Sequence, residues 1–110
     1  MNNFDMELKE KMFEAVGYRC GLNVLKQADA AHHIKPNTKA NRKRFPLFLQ
    51  SPFNMLPVNN GEHLTKPLPK PPSDLVCDVY ESWLAENKFY KKQMLQELIE
   101  NGWKKEDISG

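Results

Sequence analysis

The apolar positions of this chain change period several times, and each change predicts an element. From residue 4 to 16, Phe4, Leu8, Met12, Ala15 and Val16 recur at helical spacing, with Asp5 placed to cap the first turn. Gly17 follows as the stop, because a helix commonly ends on a left-handed residue that glycine adopts without strain. Tyr18 to Leu25 holds Tyr, Val and two Leu and fits a strand, interrupted around Gly21-Leu22-Asn23. Gln27 to Asp29 reads as a turn and Ala30 to Ile34 as a second short strand. Pro36-Asn37 ends that run, since proline supplies no ladder donor and the pair favours a turn.

Residues 35–52 form a long connection, with a short helix expected around Asn41 to Arg44 before Pro46. Phe53 to Val58 reads as a strand whose Pro57 suits an edge or terminal position. Asn59-Asn60-Gly61 then turns the chain, and Asn59 or Asn60 caps a short helix carrying Glu62 and His63. Lys66 to Pro72, with four prolines, is a stiff extended crossover. Ser73 or Asp74 caps the next helix, in which Leu75, Val79 and Trp83 form one apolar stripe and Val76, Tyr80 and Leu84 another. Asn87 either interrupts it or starts a second helix. In the last helix Phe89, Met94, Leu95, Leu98 and Ile99 are expected to face inward, and Asn101-Gly102 stops it. Trp83 and Trp103 read as core or lid residues. The class is α+β.

Length places all 110 residues in one domain with a modest core of its own. The net charge of +2 is ordinary, but its distribution is not. Residues 32–72 carry seven Lys or Arg against Glu62 alone, whereas residues 73–110 carry eight acids and five bases. Clustered positive charge matters more than the total when the partner is a phosphate backbone. No apolar run is long enough to span a bilayer, and the first residues lack the basic start and apolar centre of a secretion signal. A cytoplasmic protein without a membrane partner is expected. Cys20 and Cys77 make no paired metal motif; their sequence context does not argue a disulfide, and reduced thiols are the simpler reading.

The candidate chemistry lies between Ala30 and Leu64, where all three histidines of the protein are found. His32 and His33 are adjacent and, on a regular strand, face opposite sides, so they have different tasks. Neutral imidazole is a common transition-metal ligand, and a two-His site with open positions leaves room for water and substrate oxygens. His63 on a following helix offers the second ligand. The pattern His32-His33-Ile34, then Asn54-Met55-Leu56-Pro57, then His63 nine residues after Asn54, resembles the HNH endonuclease motif, a ββα-metal fold. The match covers Tyr18 to Leu64, less than half of the chain.

The resemblance implies an α+β protein with a small ββα-metal core at 17–66. An N-terminal helix (1–16), a proline-rich crossover (67–72) and two C-terminal helices (73–110) surround that core. It implies a metal-dependent endonuclease that hydrolyses DNA phosphodiester bonds to 5′-phosphate and 3′-hydroxyl ends. His33 resembles the general base that activates water. His32 and His63 resemble the ligands of one divalent ion, Mg²⁺ or Mn²⁺ foremost, with Zn²⁺ or Ni²⁺ as alternatives. Asn54 resembles the asparagine whose amide ties the inter-strand loop and orients the base. Asp29, Asn59, Asn60, Glu62 or water are open as a third ligand. The cysteine pairs that hold a structural zinc in many such proteins have no counterpart here, so no four-cysteine structural zinc is expected.

The insertion between His33 and Asn54 carries Lys35, Lys39, Arg42, Lys43 and Arg44, which reads either as a solvated loop or as a track for a nucleic-acid backbone. Duplex, nicked or branched DNA is the expected partner. A homodimer, or a larger assembly of phage or mobile-element type, would suit double-strand cutting. The alternative function is a non-catalytic nucleic-acid-binding module with a structural metal site, drawing on Cys20 and the histidines.

Overall fold

In the computed structural model, which describes residues 4–61 and 68–104, four α-helices surround one two-stranded antiparallel sheet. The first helix, α1, spans Met6–Ala15, and the Asp5 carboxylate accepts the N–H of Leu8 at 3.2 Å as its N-cap. Leu8, Met12 and Phe13 are its buried residues. The helix ends on two consecutive left-handed residues, Gly17 (φ 64°) and Tyr18 (φ 58°). Glycine takes that conformation freely, while Tyr18 is held in it with its hydroxyl donating to Glu10 Oε1 at 2.7 Å.

The strand expected over Tyr18 to Leu25 does not form. Residues 18–28 instead make a tight loop with a single bridge between Arg19 and Gln27, flanked by Cys20 N–H to Lys26 O and Ala28 N–H to Tyr18 O. The reason lies at its tip. Asn23 accepts the N–H of Leu25 on its side chain and that of Lys26 on its backbone, which turns the chain before a ladder can extend. Val24 and Leu25, counted as strand formers, sit exposed on that turn.

The sheet pairs β1 (Ala30–His33) with β2 (Met55–Val58) in the register Ala30↔Val58, Ala31↔Pro57, His32↔Leu56 and His33↔Met55. β2 starts two residues later than expected, because Pro52–Asn54 is wound into a 3₁₀ turn. Its two faces meet different cores. Ala31 and Met55 belong to the main cluster, built from Leu8 and Met12 of α1 with Phe45, Phe48, Leu49 and Phe53. Helix α3 (Ser73–Glu86) contributes Val76, Val79 and Tyr80 to it, and α4 (Lys91–Glu100) adds Met94 and Leu98. Ala30, Leu56 and Val58 face a smaller cluster with Cys20 and Ile34. Gly21 closes that side so tightly that a Cβ there would lie 2.6 Å from Leu56 Cδ1 and 3.1 Å from its Cγ. Gly21→Ala is therefore expected to cost about 1–3 kcal/mol through overpacking of the wholly buried Leu56, read from urea unfolding midpoints; a loss below about 0.5 kcal/mol would contradict this packing.

The long connection contains α2 (Lys39–Arg44), two residues longer than expected, with Thr38 Oγ1 accepting the N–H of Asn41 as N-cap. After it, Glu97 of α4 reaches across: its buried carboxylate accepts the N–H groups of Leu47 (3.1 Å) and Phe48 (2.9 Å) and the Gln93 side-chain amide (2.9 Å). A buried carboxylate that satisfies two backbone donors fixes the start of the 3₁₀ turn Phe48–Gln50. At the other end, α3 begins on Pro72 with no side-chain cap, so neither Ser73 nor Asp74 caps it; Ser73 is already helical and Asp74 lies in the first turn, where its charge suits the helix dipole. Leu75, Phe89 and Ile99, expected inward, are exposed, because the buried face of α3 runs through Val76, Val79 and Tyr80 and that of α4 through Met94, Glu97 and Leu98. Trp103 is buried and Trp83 packs at the margin of the core. No helix among the described residues is long and apolar enough to cross a membrane. Cys20 and Cys77 are free thiols.

Candidate functional site

The sheet register separates the two adjacent histidines. His32 lies opposite Leu56, on the face of the Cys20–Leu56–Val58 cluster, and His33 lies opposite Met55, on the face of the main core. On that side the imidazole of His33 stacks on the ring of Phe4, with centroids 4.0 Å apart and planes 14° from parallel. Phe4 is itself buried and immediately precedes the cap of α1. Its periodicity marked it as a core residue, and nothing in the sequence linked it to His33, which lies 29 positions later.

The Nε2 atom of His33 is buried and has no hydrogen-bond partner among the described residues. Burial first, and the neighbouring His32 imidazole second, hold the His33 pKa below its ordinary 6.5. A lowered pKa favours the neutral ring at neutral pH.

Asn54 connects the end of β1 to the connection that follows it. Its side chain is fully buried. Its Oδ1 accepts the N–H of Lys35 at 2.6 Å, and its Nδ2 donates to the carbonyls of Lys35 (3.2 Å) and Leu49 (3.3 Å). Its own carbonyl accepts the N–H of Ile34 at 2.9 Å. One amide thus satisfies both backbone groups of Lys35, two residues beyond His33, and binds them to the turn that Glu97 anchors. An inward amide saturated in this way is a rigid brace, because each partner left unpaired in a buried setting would carry the full desolvation cost.

The basic residues do not form one uniform track. Lys35 Nζ and the Arg44 guanidinium lie 5.0 and 5.1 Å from the ring centre of buried Phe45. Arg42 is turned back on its own loop, donating to the carbonyl of Asn37 at 2.9 Å. Lys39, Lys43 and Arg44 are exposed, and among the described residues no carboxylate pairs with the cations of α2. Three basic residues in the last turn of α2 also complement its dipole.

His63 and the helix expected to carry it lie outside the described residues, as does Glu62. Of the other third-ligand candidates, Asp29 Oδ1 accepts the N–H of Asn60 (2.8 Å), while Asn59 donates to Gln27 O (3.0 Å) and accepts from Gly61 (2.9 Å). These groups brace the turn after β2. Among the described residues no three His, Cys, Asp or Glu side chains converge to hold an ion. What the described chain offers a cation is one imidazole, His32, on the face it shares with the Cys20 sulfur, which accepts the N–H of Leu22 at 3.3 Å.

The structure thus brings His32, His33, Asn54 and Lys35 together at one end of a two-stranded sheet, with Lys39, Arg42, Lys43 and Arg44 on the helix that follows. Set beside protein-family models, curated proteins and solved structures, the chain matches none of them.

Proposed function

We propose that this chain is a metal-dependent endonuclease of the HNH type, with β1, β2 and the segment after them forming a ββα-metal centre that hydrolyses DNA phosphodiester bonds. The observation that carries the reading is the Asn54 brace: a buried amide that clamps both backbone groups of Lys35 at the exit of the strand bearing His32 and His33. With both ends of the amide engaged by backbone groups, Asn54 fixes the strand end. In this reading His33, neutral at pH 7, takes a proton from water as the water oxygen attacks phosphorus. The bond from phosphorus to the 3′ oxygen breaks, leaving a 5′-phosphate and a 3′-hydroxyl that takes its proton from solvent. His32 and His63 would hold one divalent ion, which when bound supplies Lewis-acid stabilisation of the charge that develops on the phosphoryl and leaving oxygens. Exposed Lys39, Lys43 and Arg44 meet the phosphate backbone, and Arg42 braces the loop from which they project.

Supercoiled plasmid incubated with the chain and Mg²⁺ or Mn²⁺ is expected to become nicked, with ligatable 5′-phosphate ends, and EDTA is expected to stop the reaction. Failure of a folded chain to nick plasmid with any of Mg²⁺, Mn²⁺, Ni²⁺ or Zn²⁺ would overturn the proposal. A second reading draws on the placement of buried Cys20 on the face of His32: a non-catalytic nucleic-acid module with a structural ion. The two differ on chelation. A structural ion predicts unfolding by EDTA, whereas the nuclease reading predicts a chain that stays folded and loses only cleavage.

A further inference from the structure

The turn between α3 and α4 presents an aromatic pair to solvent. Phe89 is 88% exposed and Tyr90 49% exposed, and their rings meet edge to face with centroids 5.0 Å apart. Such exposure is unfavourable for a phenyl ring, and the turn that holds it is well tied. Asn87 donates to the Trp83 carbonyl through both its backbone (3.1 Å) and its side chain (2.9 Å), and Tyr90 N–H donates to Asn87 O at 2.9 Å. The 3₁₀ turn Lys88–Tyr90 therefore projects its rings from a fixed base.

Three exposed lysines, Lys88, Lys91 and Lys92, flank the pair in sequence, and residues 87–96 contain no acid. Two of the nearest carboxylates in sequence are directed elsewhere. Glu86 lines the cleft between α1 and α3, and buried Glu97 is engaged by Leu47, Phe48 and Gln93. Glu100 stands one turn beyond Gln96 on the same side of α4, a single acid against three lysines. Phe89, Tyr90, Lys92, Gln93 and Gln96 line a shallow depression of about 300 Å³. Protein-binding patches are depleted in lysine at their centres, whereas exposed aromatic faces among lysines are how unpaired bases are stacked and their phosphates neutralised.

We propose that Phe89 and Tyr90 form a stacking platform for a single-stranded nucleic acid, with Lys88, Lys91 and Lys92 on its phosphates. The inference rests on the nucleic-acid reading above for the class of partner, but it uses none of the residues assigned to hydrolysis. It gives the chain a grip on an unpaired strand, such as a flap or an open junction, separate from the α2 surface.

The test is fluorescence anisotropy of the full chain with a labelled single-stranded oligothymidine of about 16 nucleotides and with a duplex of equal length, in low-salt buffer with EDTA. Phe89→Ala/Tyr90→Ala is expected to weaken single-strand binding about tenfold or more while changing duplex binding less than about twofold, and Phe89→Trp to retain it. Replacing the three lysines by glutamine is expected to flatten the dependence of log K on log salt for the single strand by roughly two units. Unchanged single-strand affinity in the double alanine variant, with native circular dichroism, overturns the platform. So does a double variant whose affinity is unchanged but which dissociates a dimer in sedimentation, since the patch then binds a second copy. Divalent ions are absent, so cleavage does not enter the measurement. A chain that binds through Phe89 but never cuts keeps the platform and loses the nuclease; the converse result keeps the nuclease alone.

Discussion

His33→Ala is expected to reduce metal-dependent plasmid nicking by about 10²–10⁴-fold, the range that a positioned general base contributes. The expectation follows from three features of one side chain: the ring is held neutral by burial, it is oriented by Phe4, and the strand behind it is braced by Asn54. His33→Ala also removes the ring stacked on Phe4, so some loss of stability is expected, and cleavage is compared at a temperature where circular dichroism shows both chains folded. His33→Gln provides a check, because it keeps polarity and much of the volume but accepts no proton at neutral pH. Cleavage within about threefold of the parent by a well-folded His33→Ala chain would remove His33 from the chemistry and leave it as a packing residue beside Phe4.

The largest effect on stability is expected at Phe53. It is fully buried, stacks on Tyr80 with centroids 4.1 Å apart, and meets Trp103 edge-on at 5.2 Å and Trp83 at 6.4 Å. Tyr80 and Trp103 also pack edge to face at 5.6 Å, so Phe53 fills the centre of an aromatic nest formed by the 3₁₀ turn, α3 and the segment after α4. Phe53→Ala loses the transfer energy of the ring and leaves a cavity whose rigid walls cannot collapse, about 3–5 kcal/mol. For a domain of this size that is a large share of the roughly 5–15 kcal/mol available. Urea unfolding followed by tryptophan fluorescence should show the midpoint falling with its slope unchanged. A loss below about 1.5 kcal/mol would mean that the nest repacks. Because Phe53 precedes Asn54, the same substitution should also lower cleavage at temperatures where the chain is still folded.

What could be read from the residues divides by the range of the interaction. Local signals served well: the Asp5 cap, the Gly17 stop, the interruption at Asn87 and the Gly102 turn (φ 88°) all rest on contacts within a few positions. The alternation rule put His32 and His33 on opposite faces without any coordinates. Short apolar runs misled, since Val24 and Leu25 look like a strand until the Asn23 turn is known. Leu75, Phe89 and Ile99 look like core until the direction of the helix faces is known. The partners that set the candidate base, Phe4 on one side and the Glu97-anchored turn behind Asn54 on the other, come from distant parts of the chain, and no periodicity records them.

The stack of Phe4 on His33 also bears on how the molecule is made. The hairpin and its long insertion could be copied as one cassette, yet the ring that sets His33 would be left behind, because it belongs with α1, which packs against α3. Helix α3, against which α1 packs, begins 40 positions after His33. The seating of the His33 ring is therefore tied to the packing of the two terminal parts of the chain, and a change that loosens α1 from α3 is expected to loosen the candidate base as well.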